Sequence, residues 1–215
     1  MNIKRILSVA LCFLLLLSFG LGSYAETHRE KTHRDSSFVS LRNTTQEEPS
    51  LLCQVPTEEQ AGEYLKKIGL YKGYEDGSLG LDRNVTRAEF ATLAVRIEGM
   101  EDVQEKHRGE TIFKDMAASH WASGYVNIAV SKDLIKGFED KTFRPEEEIT
   151  YVQALAVVIR ILGYEKDVVG EWPDNYIEKG MDLGLDRYIG LSADDVINRG
   201  EIAVLIYNAL EITIQ

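Results

Sequence analysis

Two arginines stand where an anion could be held. Arg87 follows Thr86 and Arg199 follows Asn198, in the stretches Thr86-Arg87-Ala88-Glu89 and Asn198-Arg199-Gly200-Glu201. That spacing predicts a capping box: the Thr or Asn side chain accepts from the backbone N–H at the third helical position, and Glu reaches back to the cap's own N–H. The arginine is then the first helical residue, where unpaired amides and the positive end of the helix dipole favour a negative ligand. A guanidinium at that point can grip a carboxylate through two parallel hydrogen bonds. Taken singly, such an arginine is more often a solvated charge or the partner of a nearby acid. A third stretch, Thr150-Tyr151-Val152-Gln153, keeps the cap and loses the charge, so it is expected to be architectural.

Other groups with chemical potential carry less. His28 and His33 lie in a polar segment and are expected to be solvated, and no dense His/Cys cluster suggests a zinc site. Glu146-Glu147-Glu148 offers carboxylates for glycoside hydrolysis, but adjacent acids in a loop are usually a solvated surface. The loop from Tyr74 to Asp82 lacks the alternating acidic spacing of a calcium site. Asp76 and Asp140 fit side-chain turns, and His120, just before Trp121, fits a role at a helix start. No nucleophile elbow, Walker loop or His-Glu-x-x-His motif is present, so no enzyme activity, cofactor or metal is expected.

The charge balance narrows the partners. With 24 Lys plus Arg against 35 Asp plus Glu in 215 residues, the net charge is −11, which disfavours the phosphate backbone of nucleic acid. The apolar fraction of 44% supports a real core, and two Cys cannot form a disulfide scaffold. Residues 1–25 read as a secretory signal peptide: Lys4 and Arg5 precede an apolar run from Ile6 to Leu17, and Ser23-Tyr24-Ala25 offers a cleavage site. The run is shorter than the roughly 20 residues of a membrane span. No later segment is apolar enough to span, so a secreted, soluble product without a membrane span is expected. Cleavage removes Lys4 and Arg5, taking the net charge from −11 to −13, and leaves Cys53 as the sole thiol. Residues 26–57 are polar and aperiodic and read as a flexible leader.

The elements that position the arginines repeat. Helices are expected to start at the caps Thr86, Thr150 and Asn198, with Glu89, Gln153 and Glu201 completing the boxes. Ala154 to Ile159 and Ile202 to Tyr207 are unbroken apolar runs, and Phe90 to Val95 is nearly so. A helix hydrophobic all round must be buried from several sides, which three such helices achieve by packing together at the centre. Gly99 and Gly163 mark two of their ends. An amphipathic helix precedes each: one from about Glu58, one after Trp121-Ala122 and one after Trp172-Pro173. Thr57 stands where the first would carry Trp, and the two loops Lys72 to Gly77 and Lys136 to Lys141 are closely alike. The organisation is an all-α chain of three helix-loop-helix repeats at 58–109, 110–166 and 167–215, which together form one domain.

Phe113-x-Asp115, His120-Trp121-Ala122, Gly137-Phe138-x-Asp140, Thr142-Phe143-x-Pro145, Ile149-Thr150 and Leu162-Gly163 resemble the S-layer homology module, and Thr86-Arg87-Ala88-Glu89 is a full copy of that family's signature. The resemblance implies three tandem modules in a pseudo-threefold arrangement around a central three-helix bundle. It implies attachment to the cell wall or S-layer by non-covalent binding of a secondary cell-wall polysaccharide, often one bearing pyruvylated N-acetylmannosamine, in grooves between repeats. It carries the glycan contacts onto Arg87, Arg199, Trp121, Trp172, Asp76 and Gly77. The second repeat lacks the arginine, so two grooves at most keep a full anion-binding set. A second surface protein, reached through the leader, is a further expected partner. The competing reading is a secreted helical adaptor that binds protein, its wall affinity reduced or lost.

Overall fold

Six α-helices form where local signals ask for them, in a computed structural model that describes residues 56–212 and 214. They are α1 (Glu58–Lys67), α2 (Arg87–Ile97), α3 (Ser123–Ser131), α4 (Tyr151–Leu162), α5 (Asp174–Leu183) and α6 (Arg199–Ala209), with short 3-10 segments at Glu101–His107 and Tyr164–Asp167. The described residues contain isolated bridges but no strand, so the fold is all-α. The expected signal peptide, most of the leader and Cys53 lie outside the described residues. No helix among those described is long and apolar enough to cross a membrane.

Capping decides the helix starts. Thr86 accepts from the Glu89 amide at 3.2 Å while Glu89 accepts from the Thr86 amide at 2.9 Å. Asn198 and Glu201 pair in the same way at 2.9 and 2.8 Å. Thr57, noted in the sequence only as a missing Trp, caps α1 by a third box with Gln60. The expected box at Thr150 and Gln153 does not form: Thr150 makes no side-chain cap and its buried hydroxyl oxygen has no hydrogen-bond partner. The reason is tertiary. The acceptor oxygen of Gln153 is taken by Nη1 of Arg87 at 2.8 Å.

The central helices are buried as their composition requires. Every residue from Ala154 to Ile159 and from Ile202 to Ile206 is buried, as are Phe90 to Val95. Helix α4 packs against both α2 and α6. The amphipathic helices do not pack chiefly on the central helix that follows them in sequence. Instead α3 lies on α2, α5 on α4, and α1 on α6, which joins the two ends of the described chain. Close approach at one of these crossings depends on glycine: a Cβ at Gly180 of α5 would come within 2.7 Å of Leu155 on α4.

The starts of the central helices are joined to distant loops by backbone. The amides of Arg87 and Ala88 donate to the carbonyls of Glu147 and Pro145, those of Tyr151 and Val152 to Asp195 and Ala193, and those of Arg199 and Gly200 to Arg83 and Leu81. Isolated bridges Thr86 to Glu148, Thr150 to Val196 and Asn84 to Asn198 flank these bonds. The first two amides of each central helix are therefore consumed by the neighbouring loop. The expectation of unpaired amides waiting for an anion is corrected, because a buried N–H left without a partner is costly and the adjoining loop supplies one.

Candidate functional site

Two of the three loops that receive those amides are built alike. In one, the Phe138 amide donates to the Thr142 carbonyl and Asp140 accepts from the Thr142 amide at 3.0 Å. In the other, the Tyr74 amide donates to the Ser78 carbonyl and Asp76 accepts from the Ser78 amide at 2.9 Å, with Gly77 at φ +83° closing the turn. Asp76 is exposed, and the Ser78 hydrogen bonds hold its carboxyl below the usual carboxylate range. Asp115 braces the first of these loops, accepting from the Phe143 and Arg144 amides at 2.8 and 2.7 Å.

Each arginine reaches from the start of a central helix into the loop beyond it. Arg87 is only 6% exposed. Its Nε donates to the Phe143 carbonyl at 2.8 Å, Nη1 to Gln153 and Nη2 to the Lys136 carbonyl at 3.3 Å. The guanidinium also lies over the Phe138 and Phe143 rings, 4.6 and 5.0 Å from their centroids. Arg199 repeats the design on the other loop, with Nε on the Leu79 carbonyl at 2.8 Å, Nη2 on the Lys72 carbonyl at 2.9 Å, and the Tyr71 ring 4.2 Å away. Burial pulls Arg87 down to about 10, still fully protonated at neutral pH. The named hydrogen-bond partners of this buried cation are all neutral, and three of its five N–H groups are used, which leaves two donors.

A groove of about 410 Å³ opens beside Arg87. It is lined by residues 135–139 of the loop, by Gln153, Ala156, Val157 and Arg160 of α4, and by Trp172. Trp172 is 52% exposed and its ring meets Tyr176 edge-on at 5.3 Å. The groove lining holds three cations, Arg87, Lys136 and Arg160, and one acid, Glu139, while a second acid, Glu165, pairs with Lys136 and Arg160 from outside the lining. In a chain of net charge −11 this is a local reversal of sign, with an indole face beside it.

The structure brings Arg87 and Trp172 into one groove. Asp76 and Gly77 belong to the other loop, which Arg199 reaches from α6, and they do not line the groove beside Arg87. Trp121 is 49% exposed and stacks on His120, whose Nδ1 accepts from the Ala122 amide at the start of α3. No group of three or more His, Cys, Asp or Glu among the described residues is placed to hold a metal ion. Lys136, Arg160, Glu165 and Tyr176 were not singled out from the sequence. A signal was available, since Lys72, Arg96 and Glu101 stand 64 positions ahead of the first three.

A family model for the S-layer homology domain matches residues 63–91 and 112–155, spans that include both loops, Arg87 and the start of α4. The chain is an S-layer homology domain protein. Similar sequences include the middle cell wall protein of Brevibacillus brevis, 38% identical over 69% of this chain and 14% of that protein. The cell surface protein of Thermoanaerobacter kivui is 33% identical over 98% of this chain and 25% of its own length. The cellulosome-anchoring protein of Acetivibrio thermocellus is 36% identical over 46% of this chain and 22% of its own length. This S-layer homology chain therefore spans a quarter or less of each of these relatives.

Proposed function

We propose that this chain anchors to the bacterial cell wall by binding an anionic secondary cell-wall polysaccharide in grooves between its repeats. The three repeats form one ring about a pseudo-threefold axis, a reading supported by the recurring amide-to-loop bonds at the starts of α2, α4 and α6. The single observation that carries the proposal is a buried, fully charged Arg87 on neutral partners at the wall of a groove lined by a half-exposed Trp172. A buried cation whose direct hydrogen-bond partners are all neutral, with Glu147 and Asp115 acting on it only as nearby charges, favours an incoming anion, and an indole ring suits the apolar side of a sugar ring. A carboxylate carried on the sugar, such as a pyruvate ketal, matches both requirements.

At a second junction the partly buried Arg199 repeats the loop contacts of Arg87. At the third, Tyr151 takes the place of the arginine, Thr57 the place of the Trp, and Asn208 gives the bond to the Leu185 carbonyl that Arg160 gives to Leu134. Arg87 and Arg199 therefore define two binding grooves, and the α4 junction is architectural. Binding is short-range, because the net negative charge repels an anionic polymer at a distance.

The test is co-sedimentation with purified wall sacculi before and after chemical removal of the secondary polymer. Trp172→Ala, which removes an exposed side chain, should weaken retention while the urea midpoint is unchanged. Tyr151→Ala should leave retention intact and lower only stability. Retention that survives removal of the polymer would instead support peptidoglycan or a wall protein as the ligand.

A further inference from the structure

One carboxylate ties together the parts of the groove that come from different elements. Glu165, in the 3-10 segment after α4, accepts from Lys136 Nζ at 3.3 Å, from Arg160 Nε at 3.2 Å and from the Tyr176 hydroxyl at 2.8 Å. Arg160 closes the cluster by donating Nη2 to the Tyr176 oxygen at 2.9 Å. Lys136 belongs to the groove loop, Arg160 to α4 and Tyr176 to α5, where it buttresses Trp172. Burial of Glu165 acts against its charge, but the Tyr176, Arg160 and Lys136 contacts outweigh it and hold the carboxyl below its ordinary range.

The same four residue types recur beside the other arginine. Glu101, in the 3-10 segment after α2, accepts from Lys72 at 2.7 Å, from Arg96 Nε at 3.0 Å and from Tyr125 at 3.5 Å. In both clusters the arginine side chain is largely buried, at 12% and 19% exposure, while the lysine is open at 63% and 64%. A mere stabilising ion pair has no need to leave its lysine head at the groove mouth. The more exposed end is the one a ligand can reach.

We propose that Lys136 and Lys72 are second anion-binding cations of their grooves, and that Glu165 and Glu101 are the positioning residues that aim them. The inference rests on the groove reading above. The ligand's anionic group is shared between the two spare N–H donors of Arg87 and the ammonium of Lys136, and Glu165 holds that ammonium to the loop, the helix and the Trp172 wall together. Coulomb's law alone predicts the opposite effect for Glu165, because removing a negative charge from a cationic groove should tighten an anion.

That opposition of sign makes the test sharp. The full chain carrying Arg199→Ala, to silence the other groove, is titrated with a pyruvylated N-acetylmannosamine glycoside by calorimetry and by Trp fluorescence. Lys136→Ala should weaken binding about tenfold or more, the worth of one charge-assisted contact. Glu165→Gln should weaken it severalfold despite the added positive charge, and Tyr176→Phe should do so to a lesser degree while shifting the Trp172 emission of the free protein. Binding by Glu165→Gln at equal or greater affinity than its parent overturns the inference and leaves the groove reading intact, as does unchanged binding by Lys136→Ala. If the wild-type chain does not bind the glycoside at all, the groove reading falls and this inference falls with it.

Discussion

Arg87 donates its Nε–H to the carbonyl of Phe143 at 2.8 Å, across 56 positions of sequence. Arg199 makes the equivalent bond to Leu79 across 120 positions. The signature arginine is thus a staple between repeats as well as a groove cation. Arg87→Ala strands two carbonyls and an amide oxygen in a buried setting, and a cost of about 2–4 kcal/mol is expected. Arg87→Lys should recover less than half of it, because one ammonium cannot span three acceptors held by a planar fork. Urea unfolding of the two variants measures both numbers, and a loss below about 0.5 kcal/mol for the alanine would refute the staple.

The three caps should respond differently to the same chemical change. Thr86→Val removes a formed capping box and should cost about 1 kcal/mol. Thr150→Val removes a buried hydroxyl oxygen that has no partner, so it should be neutral or stabilise by up to about 1 kcal/mol. Thermal or urea unfolding of the pair decides it. Equal destabilisation by both would show that Thr150 caps α4 after all.

Closure of the chain onto itself depends on α1. Leu65 is wholly buried on that helix, and α1 packs on α6. Leu65→Ala should cost about 2–5 kcal/mol. Loosening of α1 should also make the last helix accessible, so hydrogen exchange in α6 should rise along with that in α1. Exchange confined to α1 would contradict a shared packing unit.

The α5–α4 crossing is set by Gly180, whose added Cβ would fall 2.7 Å from Leu155 Cδ2. Gly180→Ala should destabilise by about 1–3 kcal/mol despite alanine's better helix propensity. Leu155→Val in the same chain relieves the contact, so the double variant should be less unstable than the two single losses added together. Additive losses in a double-mutant cycle would show the two sites to be independent.

The paired carboxylates set an acid limit. Glu101 and Glu165 are held below their ordinary range: burial opposes the charge, but the hydrogen bonds and cations around them prevail. A depressed folded value means that their stabilisation is complete above the unfolded carboxylate pKa of about 4.3 and is lost as pH falls through the folded value. Between about pH 5 and pH 3 the melting temperature should therefore drop more steeply for the wild type than for the Glu101→Gln, Glu165→Gln double variant. Parallel curves would remove both groups from the acid response.

Much of the fold could be read in the chain because its signals are local. A capping box acts over three residues, an apolar helix announces burial from several sides, and a turn such as Tyr74 to Ser78 is closed by its own Asp76 and Gly77. Those signals determined where helices begin, which are central and where the loops recur, and they placed Arg87 and Arg199 at helix starts. They could not assign the partners of groups that bond between elements far apart in sequence. Only the tertiary structure decided that Gln153 serves Arg87 rather than Thr150, and that the first amides of each central helix are taken by the next loop. It alone decided that Lys136, Arg160 and Tyr176 converge on the carboxylate of Glu165. The physical reason is that every buried donor must find an acceptor. At a helix start the nearest one lies in a loop far away in sequence, whose position depends on the helices having packed together.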